Sequence, residues 1–348
     1  MWEIPSFSDL EKSLENPQNP IGMRMRAAYF LRQLHANEME LQNDVVRVLA
    51  KGLHETQHGS LMRHEFAYVM GQLRDERCCD CLEEILQDAN DCVMVRHEAA
   101  EALGAIGAAR SEPILKSVGE SNPDLPELSD TCQLALNIME WRAAGEDPEN
   151  VPAVCACMLN PYSTVDPAPP HPAHQSKSFQ ELGDILYDAA LPLFERYRAM
   201  FSLRNRGGEA SVLQLCRALT QDTSSPLLRH EVAYVLGQMQ HPASVEALEE
   251  TLKRRDEHVM VRHESAEALG AIDGRWEEVE RILQRFANDE SDIDAVRESC
   301  LVALDAADYW GRGEKVETGD EEGRISFAQH KADDGKILAN HFNIAQVS

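Results

Sequence analysis

The chain has 348 residues, of which 43% are hydrophobic, and a formal charge of −27, enough length for one large domain or two smaller ones that each bury a core. The last 38 residues hold five Lys/Arg and seven Asp/Glu, which leaves −25 on the rest. A surface of that sign repels nucleic-acid and membrane phosphates and attracts a basic partner. The start, MWEIPSFSDLEKSLENP, is neither basic nor apolar, and no run of 18 apolar residues follows. Neither a secretory signal nor a membrane span is readable, so a cytoplasmic protein is expected. Nine scattered cysteines, an odd number, fit reduced thiols better than a disulfide framework.

From the N-terminus, RAAYFLRQL, starting at Arg26, opens a series of stretches with apolar or small residues at helical spacing. GLHETQ, with His54 and Glu55, precedes RHEFAYVMGQL at 63–73, where Phe66, Val69, Met70 and Leu73 mark one helix face. Cys78, Cys79 and Cys81 lie in a helical pattern with no second cysteine pair at zinc spacing, and read as plain helix thiols. RHEAAEALGAI at 96–106 and DTCQLALNIMEW, ending at Trp141, complete a first half, residues 1–142. Residues 143–178, which contain Cys155 and Cys157, are Pro-rich; proline forbids a continuous helix there, and the segment reads as a linker.

The second half, 179–310, repeats the first. RAMFSLRNR from Arg198 pairs with the stretch at Arg26, and ESCLVALDAADYW ends at Trp310 as its counterpart ends at Trp141. RHEVAYVLGQM at 229–239 and RHESAEALGAI at 262–272 match their first-half copies at an offset of 166. The polar residues 311–348 lack an apolar stripe and read as a disordered tail. With about four units per half and no β alternation, the expected fold is all-α. Helical hairpins stack into a HEAT-like solenoid whose duplicated halves face each other across a site. Gly71, Gly104, Gly237 and Gly270 fall inside helices, where glycine is locally unfavourable, so a neighbouring helix is expected to approach closely there.

The sequence VMVRHE occurs at 93–98 and, unchanged, at 259–264; LMRHE and LLRHE place His64 and His230 33 residues before His97 and His263. One His-Glu pair on a helix is commonplace. Four at equivalent repeat positions stack into rows, so His64-Glu65 lies near His97-Glu98 and His230-Glu231 near His263-Glu264. Facing halves then converge four imidazoles and four carboxylates, whose mutual repulsion two divalent metals would balance. Imidazole with carboxylate and no thiolate, with coordination positions left open, is the donor set of oxygen-activating non-haem iron; zinc and manganese also accept it. His54-Glu55 maps onto Thr220-Gln221 in the other half and is set aside, with His58. Around the four retained pairs apolar positions have drifted, Phe66 against Val232 and Met70 against Leu236, while the pairs have not.

Over residues 21–310 the four RHE pairs, the ALGAI helices and the DPAPP stretch at 166–170 resemble deoxyhypusine hydroxylase. The resemblance implies a di-iron monooxygenase that uses O₂ and an external electron donor. Its substrate would be the deoxyhypusine form of translation initiation factor 5A, and the enzyme is expected to be a monomer. It implies that His64, His97 and Glu98 hold one iron and His230, His263 and Glu264 the other. Glu65 and Glu231 would either ligate iron or hold the cationic substrate arm. The alternative is a non-catalytic HEAT-repeat scaffold whose acidic surface binds a basic protein.

Overall fold

The computed structural model describes residues 4–145, 160–162 and 164–311. Residues 312–348, expected to form a tail, lie outside the described residues, as do Cys155 and Cys157. Among the described residues there are sixteen α-helices and no strand. The first eight are α1 (Phe7–Glu15), α2 (Ile21–Asn37), α3 (Gln42–His54), α4 (Gly59–Leu73), α5 (Cys79–Gln87), α6 (Val93–Ile106), α7 (Glu112–Ser121) and α8 (Pro126–Ala143). The second eight are α9 (Phe179–Tyr187), α10 (Leu193–Arg206), α11 (Gly208–Gln221), α12 (Pro226–Met239), α13 (Val245–Lys253), α14 (Val259–Gly270), α15 (Trp276–Ala287) and α16 (Asp294–Gly311). No helix among them is long and apolar enough to cross a membrane.

Consecutive helices pack as antiparallel hairpins, and the even-numbered helices also stack on one another: α4 on α6, α6 on α8, α12 on α14, α14 on α16. Three of the four interior glycines explain how closely. A Cβ on Gly71 would lie 2.8 Å from Ala102 Cα, one on Gly104 2.7 Å from Ala135 Cβ, and one on Gly270 2.6 Å from Ala303 Cβ. Each of these distances is shorter than packed atoms tolerate, so the small-on-small contact sets the spacing of the inner helices.

The stack closes on itself. α8 packs on α10 and α12, and α16 packs on α2 and α4, so the even helices line the inside of a ring and the odd helices its outside. Arg26 of α2 pairs with Asp305 of α16 and lies 4.2 Å over the Tyr309 ring. On the other side Ser225, which caps α12, donates to Asp130 of α8 at 3.3 Å. The Pro-rich segment is tied down where it is described. Asp166 takes a two-pronged bond from Arg204 of α10 (2.9 and 2.6 Å), Val165 exchanges bonds with the Gln72 amide, and Ala168 is fully buried.

The arginine of the repeated motif builds the hairpin. Arg63 and Arg262 send Nε to the carbonyls of Leu53 and Leu252, in the last turns of α3 and α13, and fork onto Asp91 and Asp292 ahead of or within the following repeat. Arg96 donates to Leu86 in the same way, as does Arg196, outside the motif, to Leu186; Arg229 instead sends Nε to Glu257 and reaches the Asp222 carbonyl, just past α11, with a terminal nitrogen. One buried guanidinium thus satisfies an orphan helix-end carbonyl and, in most repeats, a buried carboxylate. Removing it leaves that carboxylate without its partner. Arg262→Met should therefore lower stability by about 3–5 kcal/mol in denaturant unfolding, whereas Arg110→Met, which breaks an exposed pair with Asp80, should leave the unfolding midpoint essentially unchanged.

Candidate metal centre

Each RHE motif lies in the first half of an inner helix, so its histidine and glutamate turn toward the ring axis while the arginine reaches back to the outer helix. All four histidines and their glutamates, Glu65, Glu98, Glu231 and Glu264, are buried. The imidazoles meet at the centre. Ring centroids are 5.3 Å apart for His64–His97, 6.1 Å for His64–His230, 5.1 Å for His64–His263, and 5.4 Å for both His97–His230 and His230–His263.

One turn further along each helix the structure adds groups that the His-Glu pattern does not announce. Glu101 on α6 and Glu267 on α14 follow His97 and His263 by four residues; Tyr68 on α4 and Tyr234 on α12 follow His64 and His230 by four. All four line the central cavity with Tyr29, and the Tyr68 and Tyr234 hydroxyls meet at 2.8 Å across the ring. The signal was present in the chain, since these residues are identical in both copies at the offset of 166 and share a helix face with the histidines. His54, by contrast, lies on the exposed end of α3, 3.4 Å from Glu84, and His58 is buried beside Arg24 at 3.1 Å; neither lines the cavity. Cys78, Cys79 and Cys81 are buried in the packing of α5, and burial pushes the Cys81 thiol up to about 12.

The donor set fits a metal. Both ring nitrogens of His97, His230 and His263 are buried with no hydrogen bond among the described residues, and Nε2 of His64, though 3.1 Å from Glu98, is not aligned to make one. An orphan of this kind is costly unless something binds it. Atoms of His64, His97 and His230 lie within 4.8 Å of one another, as do those of His230, His263 and Glu264, and those of His97, Glu98 and Glu101. The first of these groups draws on both halves, so the histidines form one shared cluster rather than two separate pairs.

Charge points the same way. Burial and neighbouring imidazoles hold His97 and His230 far below the ordinary histidine range, and burial with His64 does so for His263. Burial would lower His64 too, but the Glu98 and Glu65 carboxylates beside it, at 3.1 and 3.0 Å, raise it instead. Burial and the surrounding carboxylates raise Glu101 and Glu264, and lift Glu231 and Glu267 to about 8. Of the six carboxylates around the four imidazoles, Glu101, Glu231, Glu264 and Glu267 therefore favour their protonated forms unless cations replace the protons.

A HEAT-repeat ring with a buried histidine-carboxylate cluster at its axis is the class that fold and site define. The family described as HEAT repeats matches residues 46–137 and 213–305, one block on each side of the Pro-rich segment. Deoxyhypusine hydroxylase of Danio rerio is 44% identical over 296 residues, covering 85% of this chain and 90% of that protein; that of Drosophila melanogaster is 41% identical over 296 residues, covering 85% and 89%. A solved structure of human deoxyhypusine hydroxylase in complex with glycerol matches with a TM-score of 0.75 and 41% identity, over 86% of this chain and 94% of that one. The chain belongs to the deoxyhypusine hydroxylase family.

The raised carboxylates set a pH dependence for the metal-free protein. Above pH 6.5 the unfolded chain has already released the protons of its carboxylates, while Glu231 and Glu267 keep theirs in the fold up to about pH 8. The folded state then binds more protons than the unfolded one, and stability falls as pH rises, by up to about 1.4 kcal/mol per pH unit for each such group. The depressed histidines do not oppose this, because their contribution is lost only below their ordinary 6.5. The melting temperature of metal-free protein should drop between pH 6.5 and 8, and ferrous iron added anaerobically should flatten the slope.

Proposed function

We propose that this chain hydroxylates the deoxyhypusine side chain of the translation initiation factor 5A precursor, using two irons, O₂ and an external electron donor. The observation that carries the reading is the set of seven buried imidazole nitrogens, drawn from four equivalent helices, with no partner but one another and a ring of carboxylates. His64, His97 and Glu98 would hold one iron, and His230, His263 and Glu264 the other. Irons so held supply an oxidant strong enough for an aliphatic C–H bond. Two electrons from the donor balance the reaction: one oxygen atom ends in the substrate hydroxyl and the other leaves as water.

The chain's own residues place the substrate. The deoxyhypusine arm is long and cationic, and the cavity offers it carboxylates in a site walled off from water by the inner helices. Glu65 and Glu231 receive the arm. Glu267, held by the Ser299 hydroxyl at 2.8 Å and lying 3.7 Å from His263 Nδ1, orients that imidazole. The charge of −25 outside the tail draws in the basic protein that bears the arm. Enzyme and substrate protein meet in the cytoplasm, with the enzyme as a monomer.

Protein made in iron-replete cells should contain about two irons per chain. His64→Ala, His97→Ala, His230→Ala and His263→Ala should each lose iron and at least about 100-fold in activity, while His54→Ala keeps both. Incubation with the deoxyhypusine form of the factor, O₂ and a reductant should add one oxygen, about 16 Da, to that side chain by mass spectrometry. Protein containing zinc alone, or binding of the factor with no mass change under any reductant, would sink the hydroxylase reading and leave a binding scaffold.

A further inference from the structure

Glu101 stands apart from the other five carboxylates of the cavity. Glu65, Glu98, Glu231, Glu264 and Glu267 are buried, whereas Glu101 is half-buried and is the one of the six that solvent reaches. Its copy in the second half, Glu267, takes the Ser299 hydroxyl of α16 at 2.8 Å. ESC at 298–300 matches DTC at 130–132, so the first half has Thr131 in the place of Ser299, and Thr131 spends its hydroxyl on the Glu127 carbonyl of its own helix at 2.6 Å. No described residue donates a hydrogen bond to Glu101. Glu101 also stands on the wall between two spaces. Besides the central cavity it lines a smaller pocket between α6, α8 and the Pro-rich segment, walled by Ala105, Leu134, Ala135, Ile138, Val165 and Pro167. That pocket is hydrocarbon on most sides and has a carboxylate where it meets the cavity. Along α6, Glu101 lies three residues beyond Glu98, a rise of about 4.5 Å. The cavity therefore has two tiers of carboxylate, the motif glutamates in one and Glu101 with Glu267 in the other.

We propose that Glu101 is a further substrate-binding residue, which seats the secondary ammonium in the middle of the deoxyhypusine arm, and that the apolar pocket beside it takes the lysine methylenes leading there. This deepens the hydroxylase reading and rests on it. Deoxyhypusine is a lysine whose Nε carries an aminobutyl group, so the arm has two cationic nitrogens, with four methylenes before the first and four more between the two. A hydrocarbon pocket that ends in a carboxylate matches the first stretch. The second stretch bridges the tiers and brings the terminal ammonium to Glu65 and Glu231. Two ammonium groups in a site shielded from water need two sets of carboxylate, because either one left unpaired is costly. In the outer tier Glu267 is already held by Ser299 beside His263, and Glu101 is the carboxylate that takes a new partner without giving up a bond.

The unmodified factor supplies the test, because its lysine Nε stands where the secondary nitrogen of deoxyhypusine stands. Equilibrium binding to iron-loaded protein without O₂ is measured for three forms of the factor, with deoxyhypusine, lysine or glutamine at the modified position; iron content and melting temperature are recorded for every enzyme variant. Wild-type enzyme should prefer the lysine form to the glutamine form by at least about 10-fold. Glu101→Gln should cut that preference to less than about 2-fold and weaken the deoxyhypusine form by at least about 10-fold, while keeping its iron. Glu65→Gln, in the other tier, should weaken the deoxyhypusine form at least about 10-fold more than the lysine form. Ala105→Leu, which fills the pocket without touching a charge, should weaken both lysine-derived forms by at least about 5-fold at an unchanged melting temperature. A lysine preference that is missing from the wild type or survives Glu101→Gln, loss of iron from Glu101→Gln, or equal losses of the lysine form from Glu65→Gln and Glu101→Gln would overturn the seat. Undiminished binding by Ala105→Leu would overturn the path through the pocket. Wild-type protein that does not bind the deoxyhypusine form at all would instead overturn the hydroxylase reading itself.

Discussion

Like charges buried together are the constraint on which this molecule turns. Six carboxylates face four imidazoles inside a ring of helices, away from the water that would normally screen them. Protons can neutralise part of that charge, which is why Glu231 and Glu267 are lifted to about 8. Protons do nothing for the imidazole nitrogens of His97, His230 and His263, which burial keeps neutral and which make no hydrogen bond among the described residues. A cation that binds nitrogen and carboxylate at once relieves both costs, and the proposed irons are of that kind.

The ring exists to hold that cluster in place, and its construction explains why the six letters of VMVRHE survive twice. The histidine and glutamate face the axis. The arginine faces the other way, onto a carbonyl in the last turn of the preceding outer helix, as in Arg262 to Leu252 and Arg96 to Leu86. The apolar residues before it, Val95 and Val261, are fully buried between layers. A change at one position therefore disturbs a helix end, a packing layer or the centre, and the motif leaves little room for drift. Small-on-small contacts such as Gly104 on Ala135 then fix the distance from one inner helix to the next, so that imidazoles on successive repeats come within bonding reach of a common point.

Much of this was legible in the chain because repeats convert sequence offset into spatial position. Helical spacing, the offset of 166 and the 33-residue interval between histidines suffice to stack the His-Glu pairs and to expect the glycine contacts. Glu101, Glu267, Tyr68 and Tyr234 obey the same offset but sit a helical turn beyond the motif, inside an apolar pattern, and attention to adjacent pairs passes over them. They become visible only when the helix face is followed from i to i+4. The arginine's role depends on where the outer helix ends, which no local pattern in the motif states. The Pro-rich segment is similar: proline excludes a helix there, but that Asp166 meets Arg204 and Val165 meets Gln72 is a matter of tertiary position.

Duplication does not leave the two halves of the cavity identical. It brings matching imidazoles and carboxylates from both halves to one axis, and with them a cavity whose two ends are nearly alike. Two differences between the halves lie one helix away from the four histidines: Tyr29 against Phe201 on α2 and α10, and the Asp166–Arg204 pair, anchored by the Pro-rich segment on the second half's α10. None of these differences touches the set of nitrogens and carboxylates proposed to hold the irons. Each changes instead how firmly a cavity carboxylate is held or what charge lies behind it, Asp166 and Arg204 both acting on Glu231. Symmetry is thus kept in the nitrogens and carboxylates that face the axis and broken in the side chains that stand behind them.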